Sequence, residues 1–147
     1  MWSLRPSTDA DAAWIAELRA VVLRDDLQRL GRYDAVRVRR RFIDAFLPAQ
    51  TRVIVVDGVD VGSISMRRDA DSVWLEHFYL RPELQGRGIG SAILAAVMEE
   101  NTGHRVRLNV LAGSPAQRLY ERHGFDVDTE DDVDVFMSRS VPETPPG

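Results

Sequence analysis

Apolar residues recur along this chain with a period of two in some segments and of three to four in others. Residues 51–56, TRVIVV, are rich in β-branched side chains and predict a strand. Asp57-Gly58 then predicts a tight turn, with VGSISMR as the hairpin partner. FDVDTED and DVDVFMS alternate strictly and predict a second hairpin near the end of the chain. Further strands are predicted at residues 3–6, 72–80 and 106–111.

Four segments carry the period of an amphipathic helix. The first follows a cap at Thr8 or Asp9, and its predicted apolar stripe is Trp14, Ile15, Leu18, Val21 and Val22. The second covers about residues 33–47, ends before Pro48, and has a predicted core face of Val36, Ile43, Phe46 and Leu47. The third runs from about Ile89 to Glu100 with a wide apolar face of Ile89, Ile93, Leu94, Ala96, Val97 and Met98. The fourth begins at the cap Ser114 and Pro115 and ends at about His123, before Gly124.

The element order is therefore β-α-α-β-β-β-α-β-α-β-β. It predicts an α/β (α+β) fold with a mixed, mostly antiparallel sheet of about seven strands and four flanking helices. Residues 72–111 form a β-α-β crossover, which makes its two strands parallel if they are neighbours. We expect one domain over residues 1–140, and the sequence VPETPPG at 141–147 predicts a disordered tail.

Composition narrows the functional classes. The formal net charge of the 147 residues is −4, which does not favour nucleic-acid binding. There is no cysteine, so disulfides and thiol chemistry are excluded. The three histidines are far apart in sequence, so we expect no metal site. We see no secretory signal and no spanning segment, and we expect a cytoplasmic protein without membrane contact.

A glycine-rich loop between the predicted strand 72–80 and the third helix is the strongest chemical signal. It reads Gln85-Gly86-Arg87-Gly88-Ile89-Gly90. Glycine is costly to order, so three at alternate positions indicate a close approach to the backbone. A helix start binds anions, and phosphate is the usual one. The dinucleotide fingerprint G-x-G-x-x-G fails at Ser91, and the P-loop motif fails because no lysine follows.

The loop resembles the Q/R-x-x-G-x-G/A pyrophosphate loop of the GNAT superfamily of N-acetyltransferases. The preceding LEHFYLRPE resembles that family's fourth strand. SPAQRLYERHGF resembles its motif N-x-x-A-x-x-L-Y-x-x-x-G-F without the asparagine, for which we take Ser114 as the replacement. Two motifs joined by the expected helix and strand are far more specific than one, and the resemblance covers nearly the whole chain.

The resemblance implies an acetyl-CoA-dependent N-acetyltransferase that acts by direct attack of the acceptor in a ternary complex. Tyr120 matches the family's tyrosine near the coenzyme A sulfur and is the candidate acid. Glu76 is the candidate base, because a carboxylate can take the proton of the attacking amine. Because side chains alternate along a strand, Glu76 is expected on the same face as Trp74, Phe78 and Leu80, whereas His77, the reserve base, points the other way. A bulge in the strand would change this alternation.

The same resemblance implies a set of coenzyme A contacts, with the Leu80 N–H polarising the acetyl carbonyl. These residues are Phe78, Tyr79, Leu80, Gln85, Gly86, Arg87, Gly88, Ile89, Gly90, Ser91, Asn109, Ser114 and Tyr120. Asn109 has an equally simple interpretation as a polar strand residue.

The acceptor is expected to be a primary amine of a small molecule or peptide. Acidic residues at 126–134 favour a cationic amine, whereas the arginines at 37–41 favour a carboxylate or an acidic peptide. These two indications conflict. Two alternatives stay open: a non-catalytic acyl-CoA-binding module with the same fold, and a protein that binds another nucleotide. Homodimer formation stays open as well.

Overall fold

The computed structural model describes residues 1–141 and contains the eleven predicted elements in the predicted order. The strands are β1 Trp2–Pro6, β2 Thr51–Val56, β3 Val59–Arg68, β4 Val73–Leu80, β5 Val106–Leu111, β6 Asp126–Glu130 and β7 Asp134–Arg139. The helices are α1 Ala12–Arg29, α2 Ala35–Ala45, α3 Ile89–Glu100 and α4 Ala116–Arg122. Apart from Val141, the predicted disordered tail lies outside the described residues.

The seven strands form one sheet in the order β1-β2-β3-β4-β5-β7-β6. Every neighbouring pair is antiparallel except β4 and β5, which are parallel as the crossover requires. The predicted fold class is confirmed. Strand β6 lies at the edge of the sheet, and all five of its residues are exposed.

Each face of the sheet has its own hydrophobic core. Helix α3 and Tyr120 of α4 pack on one face, against Leu75, Leu108 and Val135. Helices α1 and α2 pack on the other face, where Ile15 and Phe42 join Val53 and Tyr79. The apolar face predicted for α3 is confirmed for Ile93, Leu94, Val97 and Met98, all of which are buried.

The predicted core face of α2 is wrong for three of its four residues, because only Phe46 packs against the core. Val36 and Ile43 are 70% and 46% exposed, and Leu47 is exposed as well. The helix instead buries Val38 and Phe42, which are one turn apart. The cause is a narrow contact: α2 packs mainly against α1, so one short stripe suffices. Val21 of α1 is likewise exposed rather than part of the buried stripe.

A short 3-10 turn at Asp9–Asp11 precedes α1, so the helix begins later than its predicted caps. The Thr8 N–H donates to the Asp11 carboxylate over 2.9 Å. Arg5 also donates to Asp11, over 2.9 Å, and this charge holds the pKa of the buried Asp11 carboxyl well below its usual range. The predicted cap region is therefore correct, but Asp11 carries the principal contacts.

A β-bulge in β4 overturns the predicted side-chain alternation. Ser65 pairs with Glu76 and Ser63 pairs with Tyr79, so His77 and Phe78 together lie opposite a single residue of β3. His77 adopts a φ of 49°, in the left-handed region, and its carbonyl accepts a hydrogen bond from the Ser63 hydroxyl. The extra residue shifts the period of two by one. Phe78 and Leu80 consequently face α3, whereas Glu76 and His77 both lie on the α1–α2 side.

Candidate active site

The two central strands pair over a very short length. Strands β4 and β5 match only at Val73 with Val106 and at Trp74 with Arg107, and they separate beyond that point. The Arg81 N–H donates to the Val61 carbonyl over 2.9 Å. Because hydrogen-bond directions alternate in an antiparallel pair, the Leu80 N–H points away from β3 and into the gap. The split thus presents a backbone donor at the position that the sequence suggested.

The glycine loop lies at the open end of this gap and leads into α3. Gly86 and Gly88 have φ values of 77° and 80°, and a side chain added at either would meet nothing within 4 Å. Positive φ therefore explains these two glycines, and the space beside them is open. Gly90 has ordinary backbone angles, and its added Cβ would make an ordinary contact of 3.9 Å with the Phe78 ring, so neither strain nor packing requires the third glycine.

Two side chains fasten the loop to its surroundings. The Gln85 amide Nε2 donates to the Leu80 carbonyl over 3.0 Å, and the Ser91 hydroxyl lies 2.8 Å from Nε2 of His123 at the end of α4. The backbone N–H groups of Ile89, Gly90 and Ser91 form the first turn of α3 and have no partner within the helix. A helix start, open space and a fixed loop together fit a diphosphate group.

Tyr120 lies beside the gap from the α4 side. Its side chain is buried, with the Phe125 ring 5.8 Å away in an edge-to-face arrangement. Burial, followed by the nearby Tyr79 phenol, raises the pKa of Tyr120 above its ordinary range. Tyr79 belongs to the opposite core, so the two phenols influence each other where the sheet is open. The Tyr120 hydroxyl therefore keeps its proton at neutral pH.

Glu76 lies on the α1–α2 side of β4 in an ion pair. Its Oε1 accepts from Nε of Arg67 over 2.8 Å, and the Arg67 guanidinium also lies over the Trp74 ring. The carboxylate is about one-third exposed. The second oxygen, Oε2, has no hydrogen-bond partner among residues 1–141, so it is available to a ligand or to water.

His77 is part of a chain of hydrogen bonds that crosses to α1. Arg19 Nε donates to the Tyr79 hydroxyl over 2.9 Å, and that hydroxyl lies 3.1 Å from His77 Nδ1. An arginine can only donate, so the Tyr79 hydroxyl accepts from Arg19 and directs its own proton to Nδ1 of His77. The imidazole proton then lies on Nε2. Burial, then the Arg19 charge, lowers the pKa of His77 to about 4. His77 is thus a neutral donor at neutral pH.

The remaining predicted contacts are less central. Asn109 is exposed on the face of β5 opposite α3, because its neighbours Leu108 and Val110 are buried against that helix. The Ser114 hydroxyl accepts from the Ala116 N–H over 3.2 Å, but Pro115 occupies the cap position of α4, so the predicted cap lies one residue too early. Counting back from Ala116, however, the missing asparagine of the family motif corresponds to Gly113 rather than to Ser114. Gly113 has a φ of 79°.

Sequence reasoning missed Arg19, which links α1, α2 and β4. It donates to the Val38 carbonyl as well as to Tyr79. The available signal was its position one turn after the buried Ile15, where an arginine inside an apolar stripe requires partners.

An open helix start beside a split sheet is an arrangement that can accommodate a phosphate-bearing cofactor. A family model described as an acetyltransferase (GNAT) domain matches residues 49–127. The chain therefore belongs to the GNAT acetyltransferase family, whose cofactor is acetyl-CoA. The expected family and cofactor are confirmed at this level.

Solved structures support the fold. The chain is similar to the PaiA N-acetyltransferase from Thermoplasma acidophilum in complex with coenzyme A, at 18% identity and a TM-score of 0.74, with 95% of this chain and 98% of that chain covered. It is also similar to an N-acetyltransferase from Staphylococcus aureus, at 17% identity and a TM-score of 0.71, with coverages of 92% and 98%. An acetyltransferase from Thermus thermophilus is similar at 18% identity and a TM-score of 0.70, with 95% of this chain and 96% of that chain covered. No curated protein matches the sequence.

None of the helices within residues 1–141 is both long and apolar enough to cross a membrane.

Proposed function

We propose that this protein is an N-acetyltransferase that moves the acetyl group of acetyl-CoA to a primary amine of a small molecule or peptide. The observation that supports this most strongly is the gap between β4 and β5. The glycine loop, the Leu80 N–H and Tyr120 surround it, and Glu76 lies on the strand that borders it. When bound, acetyl-CoA supplies an activated acetyl group, so that a C–N bond to the amine replaces the C–S bond.

Different residues of the chain bind the cofactor, stabilise the developing charge and transfer the two protons. The first N–H groups of α3 bind the diphosphate, and the Leu80 N–H donates to the oxygen on which negative charge develops. Oε2 of Glu76 accepts the proton of the amine, directly or through water. The protonated Tyr120 hydroxyl gives its proton to the departing sulfur. His77 is the weaker candidate base, because Nδ1 already contacts the Tyr79 hydroxyl and Nε2 carries a proton.

Tyr120→Phe tests this assignment. We expect kcat to fall about 100-fold, since the proton donor is lost, while the Kd for coenzyme A stays unchanged. Tyr33→Phe, which removes the hydroxyl of a tyrosine between α1 and α2, is the matched control and is expected to keep full activity. An unchanged kcat in Tyr120→Phe, with chemistry rate-limiting, would exclude Tyr120 as the acid.

Glu76→Gln and His77→Asn, measured in the same assay, separate the two candidate bases. We expect the larger fall in kcat for Glu76→Gln. If the wild-type protein binds coenzyme A but acetylates none of a broad panel of amines, the non-catalytic binding module is the correct description.

A further inference from the structure

A pocket of about 500 Å³ lies between α1, α2, the end of β5 and the turn from β6 to β7. This volume is in the range of small-molecule sites. Parts of the two conflicting charge clusters line this one pocket: Arg37 and Arg41 of α2 form its cationic wall, and Asp131, Asp132 and Asp134 of the final hairpin form its acidic wall.

The cationic wall carries unused charge. Arg37 and Arg41 are one turn apart on α2, and Arg32 lies just before that helix. Among residues 1–141, none of the three guanidinium groups forms an ion pair or a side-chain hydrogen bond. Arg39 on the same helix behaves differently, because it pairs with Glu17 over 2.7 Å. Arg32 lies close enough to Asp131, and Arg37 to Asp34, for their charges to interact. None of the three arginines is held in an ion pair within the described residues, so each can also bind a ligand carboxylate.

The carboxylates that line the pocket fall into two groups, those that accept hydrogen bonds from backbone N–H groups and those that accept none. Asp131 Oδ1 accepts from the N–H groups of Val133 and Asp134, and Asp34 Oδ1 caps α2 in the same way. These two acids shape the backbone. Asp132 and Asp134 also line the pocket, and within the described chain their carboxylates accept no hydrogen bond. They are available to an ammonium group.

The pocket lies close to the candidate active site. Val38 lines the pocket, and its carbonyl accepts a hydrogen bond from Arg19. Arg19 Nε in turn donates to the Tyr79 hydroxyl on β4. One arginine side chain thus separates the pocket wall from the strand that carries Glu76.

We propose that the acceptor is an amine whose other end is the dipolar head of an amino acid, as in a diamino acid of the lysine or ornithine type. This inference rests on the proposed function. The carboxylate is held by Arg37 and Arg41, the α-ammonium group by Asp132 and Asp134, and the distal amine extends past Arg19 towards β4. A single ligand of this kind offers each wall a group of opposite charge.

The test is titration calorimetry on the full chain saturated with coenzyme A, which permits binding without turnover. The probes are lysine and ornithine, cadaverine, which lacks the carboxylate, and ε-aminocaproate, which lacks the α-ammonium group. We expect lysine or ornithine to bind at least about tenfold more tightly than either truncated probe. Equal or weaker binding of both diamino acids overturns the proposal.

Variants assign the two walls. Arg41→Gln is expected to abolish the preference for lysine over cadaverine, and Asp132→Asn the preference for lysine over ε-aminocaproate. Arg40→Gln, on the same helix outside the pocket, and Asp126→Asn on β6 are the matched controls and should keep both preferences. Loss of preference in the controls as well, or retention in the pocket variants, contradicts the assignment of the walls.

The same samples separate this inference from the proposed function. Coenzyme A affinity is measured first. If the cofactor binds and other amines are acetylated while diamino acids are not preferred, the inference alone fails. If coenzyme A does not bind, the proposed function fails. The diamino-acid titration of the cofactor-free protein then still shows whether the pocket binds diamino acids, because the pocket's charged residues belong to α2 and the β6–β7 turn.

Discussion

His77 shows how one residue can be forced into an unusual state by its surroundings. Its φ of 49° is uncommon for a residue with a side chain, and the bulge imposes it. The Phe42 ring lies 5.0 Å away in an edge arrangement, and Tyr79 holds Nδ1. These contacts fix the ring and remove most of it from water. The neutral imidazole is thereby a property of the fold and not of histidine itself.

Acid should therefore destabilise the protein through His77. The pKa of about 4 in the folded state lies below the ordinary value of 6.5, so the unfolded chain takes up the proton first as pH falls. The free energy of unfolding is expected to fall by about 3 kcal/mol between these two pH values, with no further contribution below them. At neutral pH, the neutral His77 makes its full contribution to the free energy of unfolding.

Chemical denaturation of the wild type and of His77→Asn across this pH range measures the effect. Asparagine tolerates the left-handed region, so the variant keeps the backbone and loses only the titrating group. We expect a flatter pH dependence in the variant, whatever its absolute stability. Identical pH profiles would assign the acid sensitivity to other groups.

At the scale of elements, the start of α3 combines two demands that a single substitution can separate. Glutamate at Ser91 places a negative charge in the first turn, which stabilises a helix but repels a bound diphosphate. We expect Ser91→Glu to weaken coenzyme A binding at least about tenfold while the thermal midpoint without ligand stays within a few degrees of the wild type.

Ser91→Ala is the matched control for that prediction. It loses the contact of 2.8 Å to His123 but adds no charge, so its coenzyme A affinity should fall much less than that of Ser91→Glu. Calorimetry with coenzyme A measures both variants. Normal affinity in a folded Ser91→Glu protein would contradict the assignment of this helix start to the diphosphate.

Sequence patterns predicted which elements exist more reliably than which side they bury. Helix α2 was expected from its period, yet its buried residues are Val38 and Phe42, because the docking of α1 decides the face. Strand β4 was expected from its apolar content, yet one extra residue at His77 reversed the alternation. Both errors concern contacts between distant segments, which a local period does not contain.

At the scale of the whole molecule, the sheet is two half-sheets with a weak seam. Strands β1 to β4 form one half and β5, β7 and β6 the other, and two residue pairs join their backbones. The element order along the chain was predictable. The insertion of β7 between β5 and β6 was not, because strand neighbours depend on long-range pairing. The candidate residues Glu76, Leu80 and Tyr120 were found by motif, whereas Arg19 required the packed structure.

The weak seam predicts a specific pattern of amide exchange. Without ligand, amides that border the gap in residues 77–80 should exchange faster than those of the fully paired β2. Coenzyme A is expected to slow exchange on both sides of the gap. Hydrogen exchange followed by mass spectrometry of peptides from β4, β5 and β2 measures this. Protection confined to the glycine loop would show that the ligand does not enter the seam.

The exposed edge strand β6 also limits how copies of this chain can associate. An edge strand offers unpaired N–H and C=O groups to any similar strand. Asp126, Asp128 and Glu130 place three carboxylates on five residues there. Arg105 lies 3.6 Å from Asp128 and partly balances it, but Asp126 and Glu130 of two such edges brought side by side would still repel. Self-assembly through a continuous intermolecular sheet is therefore opposed at neutral pH. Crowded or concentrated solutions of this protein should consequently resist fibrillar aggregation from this edge until acid removes the charge.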